Sequence, residues 1–240
     1  MRLDEGAIAL IDALGFRGIW AKHDSDNVLA SMNDMRAHVE AKINAQFATQ
    51  PSMQCKIAFL SDTIAVSMAL HEEVEHKEAM CVLYLCDIVS WILERSLRSH
   101  VPLTYRGAVS VGRYKLSPHF LVGPAVDEAA AAHELANGAF VWLTPKAHNY
   151  VARLLKNQPG NTHLVKCAVP LKGGGTLETY AVSPIMQARD EADANSLTRT
   201  FLHTFHSNSV DVAVKSQNSG RFIKLCYEWR GFHYRDDMLD

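Results

Sequence analysis

The alternation of apolar and polar positions divides the chain into short strand-like runs and longer helical stripes. The first run lies within residues 6–16, where Ile8, Leu10 and Ile11 lead to a single carboxylate at Asp12. A tight exit containing Gly15 follows and points towards a helix. This pattern predicts a buried strand that carries an aspartate to its own end and is followed by a turn.

Two longer segments have the spacing of helices. Apolar residues recur every three or four positions from Val28 to Phe47, and Pro51 closes the pattern, which predicts an amphipathic helix. Residues 74–98 predict a second helix, in which Val82 and Val89 widen the apolar stripe. This second helix is too apolar for a free surface position, so we expect it to lie on the sheet or at a subunit interface.

The remaining apolar runs predict further strands and helices. Residues 57–60 and 64–68 predict a tight β-hairpin with Ser61, Asp62 and Thr63 at its tip. Strands are also expected at 103–114, 139–143, 163–171 and 176–182, and helices at 124–138, 144–155 and 190–229. The order of elements predicts an α+β, ferredoxin-like core: a mostly antiparallel sheet with helices on one face, plus a C-terminal helical extension.

Composition sets the class of protein. A chain of 240 residues with 48% hydrophobic residues can bury a core as one domain, or as one domain plus an extension. A net charge of −2 gives no general attraction to nucleic acid or anionic lipid. The most apolar window, 79–93, is too short for a membrane span and contains Asp87. Acidic residues precede the first apolar run, unlike in a secretory signal, so we expect a cytoplasmic protein with no nucleic-acid or membrane partner.

The cysteines support the same compartment. There are five, none of them in a CxxC pair, and most lie in apolar runs. We expect reduced, buried thiols.

Two carboxylates suggest the chemistry. Taken alone, Asp12 is interpreted equally well as a metal ligand or as a residue that caps the turn, and Asp62 as an ordinary turn residue. If their strands lie side by side, however, both side chains reach the same edge of the sheet, where two Mg²⁺ or Mn²⁺ ions could be held. Amide N–H groups of the turn after Asp12 can face phosphate oxygens. Two such ions activate a hydroxyl and neutralise a triphosphate in nucleotidyl transfer.

The run IALIDALGF, followed about fifty residues on by a strand–SDT–strand hairpin, resembles the catalytic domain of class III nucleotidyl cyclases. The match falls on Asp12, Gly15, Phe16 and Asp62, with Ser61 where glycine is more usual. The resemblance covers residues 5–183 and implies that 184–240 is an extension outside the catalytic domain. It implies two metal ions at Asp12, Ala13 and Asp62, and substrate contacts at Ala13, Leu14, Gly15 and Phe16.

Two later segments also resemble the family, with departures. The strand LTYRGAVSVGRY matches at Arg106 and Gly112, and Arg106 is interpreted equally well as a substrate contact or as an ordinary ion-pair arginine. After Gly123, Asp127 lies where the family often has asparagine. Ala131 lies where many members have an arginine that stabilises the transition state, so another cation would have to replace it.

Within the class, the chain looks most like the pyrimidine cyclases of Pycsar anti-phage systems. Ala58 and Phe120 align with the residues that read a purine in adenylate-producing relatives, and neither can make the polar contacts that purine selection needs. Lys56 could donate to a carbonyl oxygen, which favours UTP over CTP and cyclic UMP over cyclic CMP as product. The resemblance also implies a homodimer with sites at its interface, with surfaces from the 74–98 helix and the helix after Gly123. A separate effector would respond to the product.

Several alternatives remain open at this point. The absent arginine at Ala131 keeps an inactive, cyclase-like interaction module in view, and a purine cyclase is a further alternative. An RNA-binding fold is disfavoured because Ala108 and Ser110 replace stacking aromatics, and a diguanylate cyclase because there is no GG(D/E)EF hairpin. In the extension, Lys215, Arg221 and Lys224 are candidate triphosphate contacts, although a solvated helix face explains them better.

Overall fold

The computed structural model describes residues 3–117, 119–155, 163–205 and 209–235, which form one eight-stranded sheet and six α-helices. The strands are β1 (Asp4–Ala13), β2 (Met53–Leu60), β3 (Thr63–Leu70), β4 (Tyr105–Ser117), β5 (Phe120–Val122), β6 (Val141–Leu143), β7 (Leu164–Pro170) and β8 (Thr176–Val182). The helices are α1 (Ser25–Phe47), α2 (Lys77–Leu97), α3 (Pro124–His133), α4 (Pro145–Leu155), α5 (Glu191–His203) and α6 (Val210–Arg230). A short 3₁₀ helix, Phe16–Ala21, follows the turn after β1.

The sheet is mostly antiparallel, as the sequence predicts. Its order is β2-β3-β1-β4-β6-β8-β7, with β5 paired to β4, and among the described strands only β4 and β6 run parallel. β1 therefore lies between β3 and β4. Asp12 near its end is in register with Thr63 on one side and Arg106 on the other. Because residues in register share a face of the sheet, these three side chains lie on the same face.

The helices cover both faces of the sheet, which corrects the expectation that they lie on one. Alternate residues of β1 face opposite ways. Ala9 and Ile11 belong to the core cluster that includes α1 and α2, whereas Ile8 and Leu10 pack with α3. The sequence of α3 is short and alanine-rich, and its buried positions, Ala125 and Ala129 among them, allow close packing on the sheet. Its apolar pattern marks a buried side but cannot say which face of the sheet it covers.

Helix α2 lies on the sheet, one of the two positions expected for it. It contacts β1, β3, α1 and α4, and thirteen of its residues are buried. Its N-terminus is stabilised by an ion pair between Lys77 and Glu73 at 2.9 Å. Since α2 is covered by its own chain, it does not provide the free dimer surface that we expected from it.

The C-terminal helices pack against the same face of the sheet as α3. Leu10, Ala108, Trp142 and Ala181 are paired in register on neighbouring strands, so their side chains lie on that face. The last three residues share a core cluster with residues of α5 and α6, such as Phe222. The helical character of the extension is confirmed for its described residues, while its separation at residue 184 as a unit stays a prediction.

The sequence led to predictions about the cysteines and about membrane-spanning helices. Four cysteines are buried and Cys55 is half-buried, and all five are free, as predicted. Over the described ranges, the structure has no helix that is long and apolar enough to cross a membrane.

Candidate active site

The two predicted aspartates lie at one edge of the sheet. Asp12 is the penultimate residue of β1, and Asp62 lies in the two-residue loop that joins β2 to β3. The strands are neighbours, with Asp12 opposite Thr63, and the Ala13 N–H donates to the Asp62 carbonyl at 3.0 Å. The side-by-side arrangement on which the metal hypothesis depended is therefore present, and the metal role itself stays a prediction.

Two groups contact the Asp12 carboxylate on the face that also carries α3. The Thr63 hydroxyl donates to it at 3.4 Å, and a terminal guanidinium nitrogen of Arg106 lies 3.3 Å from its other oxygen. The same Arg106 nitrogen lies 3.1 Å from Glu134, just beyond the end of α3. The Asp12 side chain is 17% exposed and that of Arg106 12%, so the pair is largely shielded from water.

Arg106 is thus an ion-pair arginine in this structure, one of the two interpretations that its sequence context allowed. Its Nε is buried and has no hydrogen-bond partner within the part of the chain that the structure describes. A buried, unpaired guanidinium N–H is costly, since its desolvation is not compensated. The group therefore retains capacity for one more acceptor next to Asp12.

The donor set fits a divalent metal that is completed by substrate. Asp12 and Asp62 would supply hard oxygen ligands to such a metal, and Ala13 would add only backbone atoms. Among the described residues, no three His, Cys, Asp or Glu side chains are grouped as a metal cluster. Mg²⁺ is typically held by one or two carboxylates together with substrate phosphates and water, rather than by an all-protein cage. Two carboxylates at one sheet edge match that requirement.

The turn after β1 is shaped by Gly15. Its φ of 75° is left-handed, which glycine adopts without strain, and no atom lies within 4 Å of where a Cβ would be. The Leu14 N–H already donates to the Thr104 carbonyl at 2.8 Å, and that of Ala13 is used as described above. The Phe16 ring is buried and packs edge-on against Trp20. Of the four predicted phosphate contacts, the backbones of Gly15 and Phe16 are therefore the better candidates.

The residues predicted to read the base lie apart from the two aspartates. Phe120 is 55% exposed on β5 and is paired with Ser117, at the opposite end of β4 from Arg106. At about 3.3 Å per residue, those two ends of β4 are roughly 30 Å apart or more. The Lys56 ammonium lies 3.0 Å from Asp4, an ion pair that the sequence did not reveal.

Ala58 and Ala131 are two of the positions at which the sequence departs from the cyclase family. Ala58 packs, half-buried, against the cluster that contains Ile8 and Leu10. Ala131 is exposed on α3, one turn before Glu134, which holds Arg106. Arg106, on β4, therefore lies next to the exposed face of α3.

A cavity of about 630 Å³ lies beside the turn and was not foreseen from the sequence. Leu14, Gly15 and Thr104 form one wall, and Thr204, directly after α5, and Lys215, on α6, belong to another. The hydroxyls of Thr104 and Thr204 are 3.0 Å apart. No sequence signal joins residues one hundred positions apart. Lys215, one of the candidate cations of the extension, is the one that reaches this cavity.

Solved structures with the same fold are cyclase domains. One is a dimeric guanylyl cyclase domain of the RhoGC fusion protein from the aquatic fungus Blastocladiella emersonii, at 14% identity and a TM-score of 0.50, covering 76% of this chain and 98% of that one. A rhodopsin-guanylyl cyclase core with converted specificity, in complex with ATPαS, matches at 16% identity and a TM-score of 0.49, covering 74% and 94%. Adenylate cyclases from Trypanosoma brucei in their monomeric state match at 13% and 0.47, covering 73% and 88%.

The likeness establishes the fold and no more, because the identities are low. No protein-family model matches the sequence, and no curated protein matches it. The predicted α+β cyclase fold is confirmed, with a mostly antiparallel sheet and six helices among the described residues.

Proposed function

We propose that this protein is a metal-dependent nucleotidyl cyclase. The observation that carries the proposal is the convergence of Asp12 and Asp62 at one sheet edge, beside an open glycine turn. Asp12 is near the end of β1 and Asp62 lies in the loop just before β3, and the register of β1 with β3 makes them neighbours. Carboxylates that meet at an edge, in a fold shared with cyclase domains, suit divalent metals and a triphosphate better than they suit turn capping alone.

The residues have distinct tasks in the proposed reaction. Asp12 and Asp62, with the Ala13 backbone, would hold two Mg²⁺ or Mn²⁺ ions. When bound, these ions polarise the phosphates and lower the pKa of the attacking hydroxyl. The ribose 3′-oxygen attacks the α-phosphorus and loses its proton, and the bond to pyrophosphate breaks. The backbones of Gly15 and Phe16 contact phosphate oxygens, and Arg106 neutralises developing charge through its terminal nitrogens.

The proposed site needs two copies of the chain. Phe120 lies too far along β4 from Asp12 for one nucleotide to touch both within a single protomer. A homodimer in which one copy supplies the aspartates and the other supplies Phe120 and Lys56 brings them together. Exposed apolar side chains occur at both ends of the sheet, Phe120 and Val122 on β5 and Leu60 beside the hairpin loop, and they support an interface in which opposite ends of two copies meet. Sedimentation that gives only monomer at micromolar concentration, together with full activity, would contradict this arrangement.

We further propose a pyrimidine substrate, UTP in preference to CTP. Ala58 and Phe120 have no polar groups with which to recognise a purine edge, and an exposed aromatic ring is suited to stacking on a base. Lys56 can donate to the uracil O4 if it leaves Asp4. By the resemblance to Pycsar enzymes, the cyclic UMP product would act on a separate effector in anti-phage defence.

The test is a competition among the four nucleoside triphosphates at equal concentration with Mn²⁺, with products separated by mass. Cyclic UMP is the expected main product; cyclic AMP or cyclic GMP as the main product would refute the base assignment. Asp12→Asn and Asp62→Asn should each lower turnover by about a hundredfold or more, since they remove charge at nearly constant volume. Asp34→Asn is the matched control, because Asp34, on α1, pairs with Arg95 on α2, away from the site.

A second candidate is an inactive interaction module with a cyclase fold. The ion pair between Arg106 and Asp12 favours it, since it explains a buried carboxylate without any metal. This candidate predicts no conversion of any nucleotide and a stability that does not change with Mn²⁺. Asp12→Asn would then destabilise the fold, whereas in the cyclase it chiefly affects turnover. Thermal unfolding of both aspartate variants with and without Mn²⁺ separates the two.

A further inference from the structure

The cavity beside the turn has apolar walls and cations at its margin. Leu14, Ile19 and Phe205 contribute apolar surface from three different segments. Its basic side chains are Lys22 and His23, directly after the 3₁₀ helix, His203 on α5 and Lys215 on α6. Acidic side chains are absent from the lining among the described residues. A cavity with this balance of charge suits an anion and disfavours a cation.

The two lysines of the cavity differ in their surroundings. Lys22 is exposed, and no ion pair of its side chain occurs among the described residues. Lys215 is 19% exposed and pairs with Asp211 one turn away. Asp211 itself is 65% exposed, so an anion in the cavity can compete for Lys215 against a weak, water-screened partner.

Positive charge continues from the cavity towards the carboxylate edge. The backbone N–H of Lys172 donates to the Leu135 carbonyl at 2.9 Å, which holds Lys172 near the C-terminal end of α3. Burial lowers the pKa of Lys172, Arg106 and Lys215 lower it further, and Glu134 and Asp211 act in the opposite direction. The charges of Arg106, beside Asp12, and of Lys215, in the cavity, therefore act on the same side chain.

Hydrogen bonds also connect the walls of the cavity to the turn that follows β1. The Thr204 hydroxyl at the end of α5 meets that of Thr104 at 3.0 Å, and the Thr104 carbonyl accepts the Leu14 N–H at 2.8 Å. On α6, the Ser219 hydroxyl accepts from the Ala139 N–H at 2.9 Å and donates to the Lys215 carbonyl at 2.6 Å. The wall that carries Lys215 is thus fixed relative to the sheet that carries Asp12.

We propose that this cavity binds the polyphosphate group of a nucleotide, with Lys22 and Lys215 as its cationic contacts. The C-terminal helices are then part of a ligand site. The identification of the ligand as a nucleotide rests on the proposed function; the anion site itself rests on the cavity and its charges.

The experiment measures binding of sodium tripolyphosphate to the full chain by calorimetry in EDTA, so that divalent metal does not contribute. The wild-type protein should bind, and Lys22→Gln and Lys215→Gln should each weaken binding by about tenfold, as expected for loss of one charge-assisted contact. Lys166→Gln is the control, an exposed lysine on β7 outside the cavity lining, and should stay within about twofold of wild type. Thermal unfolding of every variant checks that each is folded.

Absence of wild-type binding, or equal binding by both cavity variants and wild type, would overturn the proposal. A wild type that makes no cyclic nucleotide but binds tripolyphosphate through these lysines would refute the proposed function and keep the site. Enzyme kinetics distinguish two sources of the polyphosphate. If the substrate provides it, tripolyphosphate inhibits competitively and Lys215→Gln raises KM. If a second, regulatory nucleotide provides it, tripolyphosphate changes kcat without competing.

Discussion

The contact between Arg98 and Asp193 should hold the C-terminal helices on the rest of the molecule. Two guanidinium nitrogens of Arg98, at the end of α2, donate to the two carboxylate oxygens of Asp193 on α5 at 2.8 and 2.6 Å. Asp193 also accepts the Arg189 N–H at 3.0 Å. We predict that Asp193→Asn destabilises the protein, because one arm of the bidentate pair and the charge are lost while the shape is kept.

The magnitude follows from the burial of the two partners. The Asp193 side chain is 5% exposed, whereas that of Arg98 is 30% exposed and has a second partner in Glu94 at 2.7 Å. Breaking a fully buried pair costs about 3–5 kcal/mol, and an exposed pair contributes about 0–1 kcal/mol. Partial screening of Arg98 places the expected loss at about 2 kcal/mol. For a chain of this length, that corresponds to a decrease in Tm of about 4–8 °C.

The effect should depend on pH in one direction. Hydrogen bonds from Arg98 are the main reason that the pKa of Asp193 lies well below its ordinary value. A carboxyl whose pKa is lower in the folded state adds stability above its unfolded pKa, and this contribution is lost as the pH falls through the folded pKa. The difference between wild type and Asp193→Asn should therefore be full at pH 7 and shrink progressively below about pH 4.

Urea unfolding of the two single variants, Arg98→Gln and Asp193→Asn, and of the double variant measures the coupling. A double-mutant cycle isolates the pair from the other contacts of each residue. We expect a coupling free energy of about 1.5 kcal/mol at pH 7. A coupling below about 0.5 kcal/mol, or a difference between wild type and Asp193→Asn that does not change with pH, would refute the reasoning.

Three further predictions concern the sheet and the thiols. Ser61 has a φ of 62° as the first of two hairpin residues, where glycine is preferred, so Ser61→Gly should raise the free energy of unfolding by about 0.5 kcal/mol in urea titrations; a loss of stability would contradict it. A Cβ on Gly107 would lie 2.4 Å from the Leu10 carbonyl oxygen, so Gly107→Ala should cost about 2 kcal/mol or more, whereas Gly173→Ala, in open space, should be nearly neutral. Burial raises the pKa of the Cys81 thiol to about 11, so a thiol reagent at pH 8 should label it only after unfolding; rapid labelling of the native protein would contradict its burial.

Local sequence patterns were enough to predict most of the helices and strands, and to place Asp12 at the end of a strand and Asp62 in a hairpin turn. The apolar run from Ile8 to Ile11 ends at Asp12, and the hairpin pattern places Asp62 at a tip; both statements need only the periods of strands and the preferences of turns. The helices α1, α2 and α4 and the hairpin of β7 and β8 agree with their predicted positions to within a few residues at each end. These features depend on neighbours in the chain, which a sequence displays directly.

The tertiary structure alone decided which side chains meet. The register of β1 with β4 brings Arg106 to Asp12 across ninety-four positions, and the packing of α3 brings Glu134 to the same arginine. The ion pair of Lys56 with Asp4 and the contact of Thr104 with Thr204 likewise join distant segments. A pattern of apolar residues shows that a helix has a buried side, but it does not specify the face of the sheet against which that side packs. For this reason α3 and the C-terminal helices could cover the opposite face from α1 and α2, and the cavity beside Gly15 has one wall made by residues of α5 and α6.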